Sequence, residues 1–591
     1  MLLALAALVF AEAAPASPVS RDYYGASGND VFVDPAVKAS DQLAAMSAGG
    51  IAQVRFDAEW ARVEPNPPDA QTGAHDYRWA YYDSRVESLA RHGQRWYPVL
   101  AYNTSWSGAT QGDLTSAPAR VSDYAAYAAS LARRYGRGGS FWSAHSELTP
   151  APVTSYEIWN EPNSQFFWHP QDQAPERYAD LYAAARTAIR GVDSAARVVT
   201  GGLTVSTTGV TPEGDWLRRM YAHRPDLVGA ADAVGYHPYM PSIEQVYQRL
   251  GAFRRTLDRV GATGVPLELT ELGWTTVHTP EADRADYLKK LALELPRSDC
   301  AVERLIPYSW VTGEYDLSNP EHWFGIYDKD ATPKQSGAAY TGAARLMEGL
   351  EATPPPDSPT RICRTLSPYG SEIAETPGLA GYWRLGESLG SVAQDEKLGH
   401  DGKYVGAPAL RRPGAIVGDA DTAVGFASGV NDYADLGDRS VGEGGEFSAE
   451  AWIKTTGSST NRWLVGEGST TSNNPIWGLV QEGSKARAYY RVDGGAKRDL
   501  VGKKTINDGA WHHVVLTVKK GGSLSLYVDG ALDGSASVPA GSISLNTSTV
   551  GILRRAALGS EYAGDADEVA LYGTALPSGT VQQHHARGAA P

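Results

Sequence analysis

Between residues 22 and 350, short β-prone runs alternate with amphipathic helical patterns, and this alternation restricts the possible folds more than any other feature of the 591-residue chain. Strand candidates fall at residues 23–26, 51–56, 95–101, 153–159, 197–202, 233–237, 265–271 and 304–310. Between them, Tyr124, Tyr127, Ala128, Leu131 and Tyr135 recur at helical spacing, as do Tyr178, Leu181, Tyr182, Ala185 and Ile189. A helix after each strand predicts a parallel (β/α)8 barrel with its functional groups at the strands' C-terminal ends. One barrel does not use up this chain, so further domains are expected. Residues 352–360 are proline-rich and read as a stiff linker. Residues 378–588 carry short alternating runs with Gly, Asp, Asn and Ser between them, the pattern of an all-β sandwich.

The expected organisation is an export segment at 1–20, the barrel at 21–351, a linker at 352–377 and the sandwich at 378–588. The first stretch has a short apolar run, Leu2 to Phe10, followed by small residues, and is too short to span a bilayer. Export to the cell exterior is the expectation. The formal net charge of −15 argues against nucleic acid and anionic membrane as partners, and a monomer is expected. Cys300 and Cys363 are the only cysteines, and in an exported chain such a pair forms a disulfide.

Two carboxylic acids end two of the strand candidates. One is Glu161 in Tyr156-Glu157-Ile158-Trp159-Asn160-Glu161-Pro162-Asn163; the other is Glu271 in Leu267-Glu268-Leu269-Thr270-Glu271-Leu272-Gly273-Trp274. Paired carboxyl groups suit glycosidic hydrolysis, where one protonates the leaving oxygen and the other attacks the sugar carbon or activates water. Strand parity points Glu268 to the face away from the barrel axis, and Glu157 lies below the barrel's mouth, so both read as structural.

The Trp-Asn-Glu-Pro stretch, followed about a hundred residues later by Thr-Glu-Leu-Gly-Trp, resembles clan A of the glycoside hydrolases, with families 39 and 5 the nearest in pattern. The resemblance covers roughly residues 20–350 and implies a TIM barrel and a retaining, double-displacement hydrolase of β-linked glycans that needs no cofactor for catalysis. It makes Glu161 the acid/base and Glu271 the nucleophile. Asn160 would then bond the sugar 2-hydroxyl, and Arg55 would keep the nucleophile ionised. His237 or Tyr239 would donate to the nucleophile. Trp310 would be a sugar platform, with Trp274 and Trp106 as further wall residues. Rival readings are a non-catalytic carbohydrate-binding or adhesive protein and a transglycosylase using the same residues.

Gly378-Leu379-Ala380-Gly381-Tyr382-Trp383, Trp511-His512-His513-Val514-Val515 and Leu526-Tyr527-Val528-Asp529-Gly530 resemble the laminin-G-like, concanavalin-type jelly roll. That resemblance implies a structural calcium ion, with Asp565 and Asp567 as candidate ligands. His512 and His513 read as structural. The linker's composition further suggests an accessory module, so a chain ending near residue 370 is expected to stay active on small substrates.

Overall fold

The computed structural model describes residues 18–205, 209–350, 362–363, 366–427, 432–436, 441, 445–469, 475–492, 496–539, 543, 548–552 and 562–590. The expected export segment and the proline-rich stretch thus lie almost wholly outside the described residues.

The barrel forms as the alternation predicts. Its strands are β1 (Gly25–Ser27), β2 (Gln53–Glu59), β3 (Arg95–Ala101), β4 (Ser155–Ile158), β5 (Arg197–Thr200), β6 (Val234–His237), β7 (Leu267–Leu269) and β8 (Val302–Leu305). Neighbours pair in parallel from β1 to β5 and from β6 to β8. Parallel bridges Val199↔Ala233 and Tyr24↔Leu305 close the ring. The longer helices between and after them are α1 (Ala39–Ala48), α2 (Ala80–Arg91), α3 (Val121–Tyr135), α4 (Ala174–Val192), α5 (Glu213–His223), α6 (Ile243–Arg259), α7 (Glu281–Glu294) and α8 (Gln335–Met347). Many tyrosines of the helical pattern dock helix onto strand. Tyr127 donates to Ala58 O at 2.6 Å, Tyr178 to Ile158 O at 2.8 Å and Tyr182 to Val198 O at 2.7 Å. Their rings fill the helix–strand layer while each hydroxyl satisfies a buried carbonyl.

The barrel's interior is polar. At its lower end, buried Glu268 accepts from Tyr97 Oη (2.8 Å), Arg304 Nε (2.9 Å) and Arg197 Nη2 (3.1 Å). Glu268 therefore faces the axis, contrary to the parity expectation. Its alternation partner is Thr270, also inward; regular strand ends at Leu269, and Glu271 enters the cleft from the loop beyond. Parity fails there because it was carried past the strand's end.

Cys300 and Cys363 form the expected disulfide, joining the turn before β8 to the segment after the barrel. Closing a loop with a sequence separation of 63 stabilises by about 4 kcal/mol on the chain-entropy account.

Beyond it, residues placed in the linker by sequence form a helix, α9 (Pro368–Glu375). Its apolar Tyr369 and Ile373, four residues apart, pack into the sandwich cluster around Trp452, Tyr572 and Val581. Two eight-stranded antiparallel sheets follow. One contains Phe447–Lys454, Trp511–Val518 and Gly564–Tyr572; the other contains Pro475–Glu482 and Lys485–Arg491, and an apolar core lies between them. No described helix is long and apolar enough to cross a membrane.

On the sheet face covered by the C-terminal helix α10 (Ser578–Ala589), buried Glu450 meets His513 Nε2 at 3.0 Å and His584 Nδ1 at 3.0 Å. Burial pushes the Glu450 carboxyl up, but the His584 charge and both imidazole hydrogen bonds outweigh it and hold it well below the usual range. Burial pulls His584 down, and the Glu450 charge lifts it above its ordinary value, with Glu372 adding a little. Glu450's contribution is lost as pH falls below roughly 4.3. That of His584 is complete below roughly 6.5 and fades as pH rises through its folded value. The part of the stability that His584 contributes should therefore fade as pH rises above about 6.5, and His584→Gln should flatten the melting profile there by that share. A variant with an unchanged pH dependence contradicts the pairing.

Candidate active site

The polypeptide leaves β4 through a left-handed backbone, with Trp159 at φ 70° and Glu161 at φ 40°. Non-glycine residues adopt this conformation at a cost of about 1 kcal/mol or more each, and such strain collects where a side chain must be aimed. Here it turns Asn160 inward and Glu161 into the mouth of the barrel. Glu271, two residues past β7, reaches the same space. The two side chains are only 12% and 13% exposed, and a carboxylate oxygen of each, with a ring nitrogen of His237, lie within 4.8 Å of one another.

Arg55, on β2 and almost fully buried, ties the groups together. It donates from Nε to Glu157 Oε2 (2.7 Å), from Nη1 to Glu271 Oε1 (2.5 Å) and from Nη2 to Asn160 Oδ1 (3.0 Å). Tyr239 Oη donates to the other Glu271 oxygen at 2.8 Å. Burial pushes the Glu271 carboxyl up, yet the His237 and Arg55 charges and the hydrogen bonds from Tyr239 and Arg55 outweigh it, so its pKa lies below the ordinary value. Glu271 is thus held as an anion.

Glu161 is held differently. Its Oε1 lies 2.8 Å from His237 Nδ1, while His237 Nε2 lies 2.9 Å from Thr270 Oγ1. The Thr270 hydroxyl gives its own proton to Glu157 Oε1 at 3.0 Å, so its oxygen must accept from His237 Nε2–H. With that nitrogen fixed as a donor, one proton is shared between His237 Nδ1 and Glu161. His237 fits only because Gly202 faces it: a Cβ there would lie 2.0 Å from Nε2.

The structure thus gathers Glu161, Glu271, Asn160, Arg55, His237 and Tyr239 at one point. Two of the three candidate tryptophans, Trp310 and Trp274, are buried in packing of their own. Trp310 is fully buried, stacked on Tyr327 at 3.9 Å with Nε1 donating to Gln42 Oε1, and so has no ring face open to a sugar. Trp274 is buried against Tyr287, with Nε1 on Met240 O at 2.7 Å. Trp106 keeps partial exposure and packs edge-on against Trp60.

Sequence reading missed Tyr308, a half-buried ring set edge-on to Tyr239 (6.3 Å) and to Phe324 (5.3 Å). It precedes Trp310 by two residues in a run of aromatic and polar positions, and no local pattern separates the two. Asp57, two residues after Arg55, was also missed. Burial pushes its carboxyl up to about 7, with Arg55 pulling it down and Glu271 among the charges pushing it up.

Asp565 and Asp567, the candidate calcium ligands, each have one oxygen engaged by a neighbouring donor. Asp565 Oδ1 accepts from Arg412 Nε (3.0 Å), and Asp567 Oδ2 from Ala415 N (2.7 Å).

Residues 428–582 match the family model described as the concanavalin A-like lectin/glucanases superfamily. No curated protein matches the chain. Among solved structures, a GH39 β-xylosidase from Caulobacter crescentus is 21% identical, covering 56% of this chain and 73% of its own, with a TM-score of 0.43. A monomeric β-xylosidase from Caulobacter crescentus CB15 is 16% identical over 94% of this chain and 97% of its own, with a TM-score of 0.44. A GH39 enzyme from Xanthomonas axonopodis pv. citri is 17% identical, covering 75% and 82%, with a TM-score of 0.43. Likenesses of this size carry no argument about chemistry. The family match and the two antiparallel sheets agree on the second domain: it is a concanavalin-like sandwich, set behind a (β/α)8 barrel.

Proposed function

We propose that the chain is an exported glycoside hydrolase that cleaves β-linked glycans with retention of anomeric configuration, Glu271 being the nucleophile and Glu161 the acid/base. The observation that supports this best is the approach of the two carboxyl groups to within 4.8 Å at the mouth of the barrel. Retaining enzymes place them roughly 5–5.5 Å apart, whereas inverting ones leave about 6.5–9.5 Å for a water. In the first step the ionised Glu271 attacks the anomeric carbon, and the proton shared by Glu161 and His237 passes to the leaving oxygen. In the second, Glu161 takes a proton from the water that releases the sugar. On this reading Asn160, held by Arg55, bonds the sugar 2-hydroxyl, and Tyr308, beside Tyr239, lines the cleft.

A purely binding protein has no use for a buried carboxylate that Arg55, His237 and the Tyr239 phenol keep anionic. The proposal is tested on a panel of aryl glycosides, with the first-formed product followed by proton NMR. The β-anomer of the released sugar is expected to appear first and then to mutarotate. First release of the α-anomer contradicts the double displacement.

A further inference from the structure

The sandwich completes the barrel at a buried charge. Arg249, on α6 and fully buried, donates from Nη2 to both Glu213 oxygens at 2.8 Å and from Nε to Tyr236 Oη at 3.2 Å. Its Nη1 donates to both oxygens of Asp401, at 2.7 and 2.6 Å. Glu213 and Tyr236 belong to the barrel, on α5 and β6, whereas Asp401 immediately precedes the sandwich strand Gly402–Val405. One buried guanidinium therefore takes a carboxylate from each domain.

The surrounding contacts are as close. Leu398, from the sandwich, is 1% exposed and lies in the barrel's apolar cluster. Its carbonyl accepts from Gly214 N at 2.9 Å in the first turn of α5, where a Cβ on residue 214 would lie 2.4 Å from Lys397 O. Only glycine lets the two backbones meet so closely. Arg255 of α6 pairs with Glu396. Ser388 Oγ lies 3.3 Å from Ser242 Oγ, in the loop that leads from Tyr239 into α6.

We infer that segment 388–401 of the sandwich is a fixed wall of the catalytic unit, and that Asp401 is a positioning residue. Through Arg249 and Tyr236 it holds β6 and the loop after it, which present His237 and Tyr239 to the two glutamates. On this inference the sandwich is not a separable accessory module. Linker composition reports only on the linker; Asp401 and Leu398 give no local sign that they pack on another domain.

The kinetic arm of the test rests on the proposed hydrolase activity, while its thermal arm does not. In the full chain, Asp401→Ala should split the single unfolding transition or lower it by about 5 °C, since it strips one partner from a buried cation. At a temperature where the variant stays folded, kcat on an aryl glycoside should fall about tenfold with KM nearly unchanged, as expected when catalytic groups are displaced. Asp401→Asn, which keeps the shape but not the charge, should show smaller effects of the same kind, and it serves if the alanine variant fails to fold. Asp499→Ala, which removes a sandwich ion pair with Arg487 away from this contact, should change neither quantity. An unshifted single transition or an unchanged kcat in the folded Asp401 variant overturns the inference. Should the wild-type chain hydrolyse no glycoside, the functional reading fails and the thermal arm alone decides.

Discussion

Replacing Glu271 with Gln should lower kcat on every glycoside by about 10⁵-fold, the scale seen when a covalent nucleophile is deleted. The amide keeps the shape of the carboxyl and one of its two acceptors: Arg55 can retain the oxygen, and the Tyr239 hydroxyl can turn to accept from the new N–H. Arg55 also retains Glu157 at 2.7 Å, so no buried cation is left without a carboxylate. The fold should survive, with a melting temperature within a few degrees of wild type, and the loss will then be chemical rather than structural. Retention of more than about 1% of wild-type kcat would place the nucleophile elsewhere.

Glu161→Ala should separate the two steps of the reaction. Protonation of the leaving oxygen matters for a poor leaving group such as a sugar or an alkyl alcohol, and there kcat/KM should fall by about 10²–10⁴-fold. A dinitrophenyl glycoside leaves without help, so its kcat/KM should fall by less than about tenfold, while kcat drops because no base activates the water. Azide needs no base and is small enough for the space vacated by the carboxyl. It should restore kcat on the activated substrate and yield a β-glycosyl azide. Equal losses on all leaving groups, with no azide product, would remove Glu161 from the acid/base role.

Both glutamates were legible because each follows an apolar strand run, and a barrel gathers the ends of its strands in one place. Arg55, Asn160, His237 and Tyr239 were legible through the motifs that contain them. Other features depended on information that a local pattern does not hold. Trp310 and Tyr308 sit two residues apart, and only the three-dimensional packing shows that Trp310 turns into the layer beneath α1 while Tyr308 faces Tyr239. Strand parity misplaces Glu268 because Glu271, its reference point, lies beyond the last regular residue, Leu269. The domain contact was invisible because its key residues are single, widely spaced side chains. Asp401 meets Arg249 across 152 positions, and a lone Asp in a Gly-rich turn reads as solvent-exposed.

The central claim, a covalent sugar on Glu271, is tested most directly by trapping it. A 2-deoxy-2-fluoro aryl glycoside of whichever sugar the wild-type chain turns over slows the second step, so the glycosyl-enzyme accumulates. Peptide mass mapping of the inactivated protein should then find one added fluorosugar, on the peptide that contains Glu271, and none in the Glu271→Gln variant. Continued turnover without an adduct, or an adduct carried by Glu161 or Asp57, would contradict the mechanism.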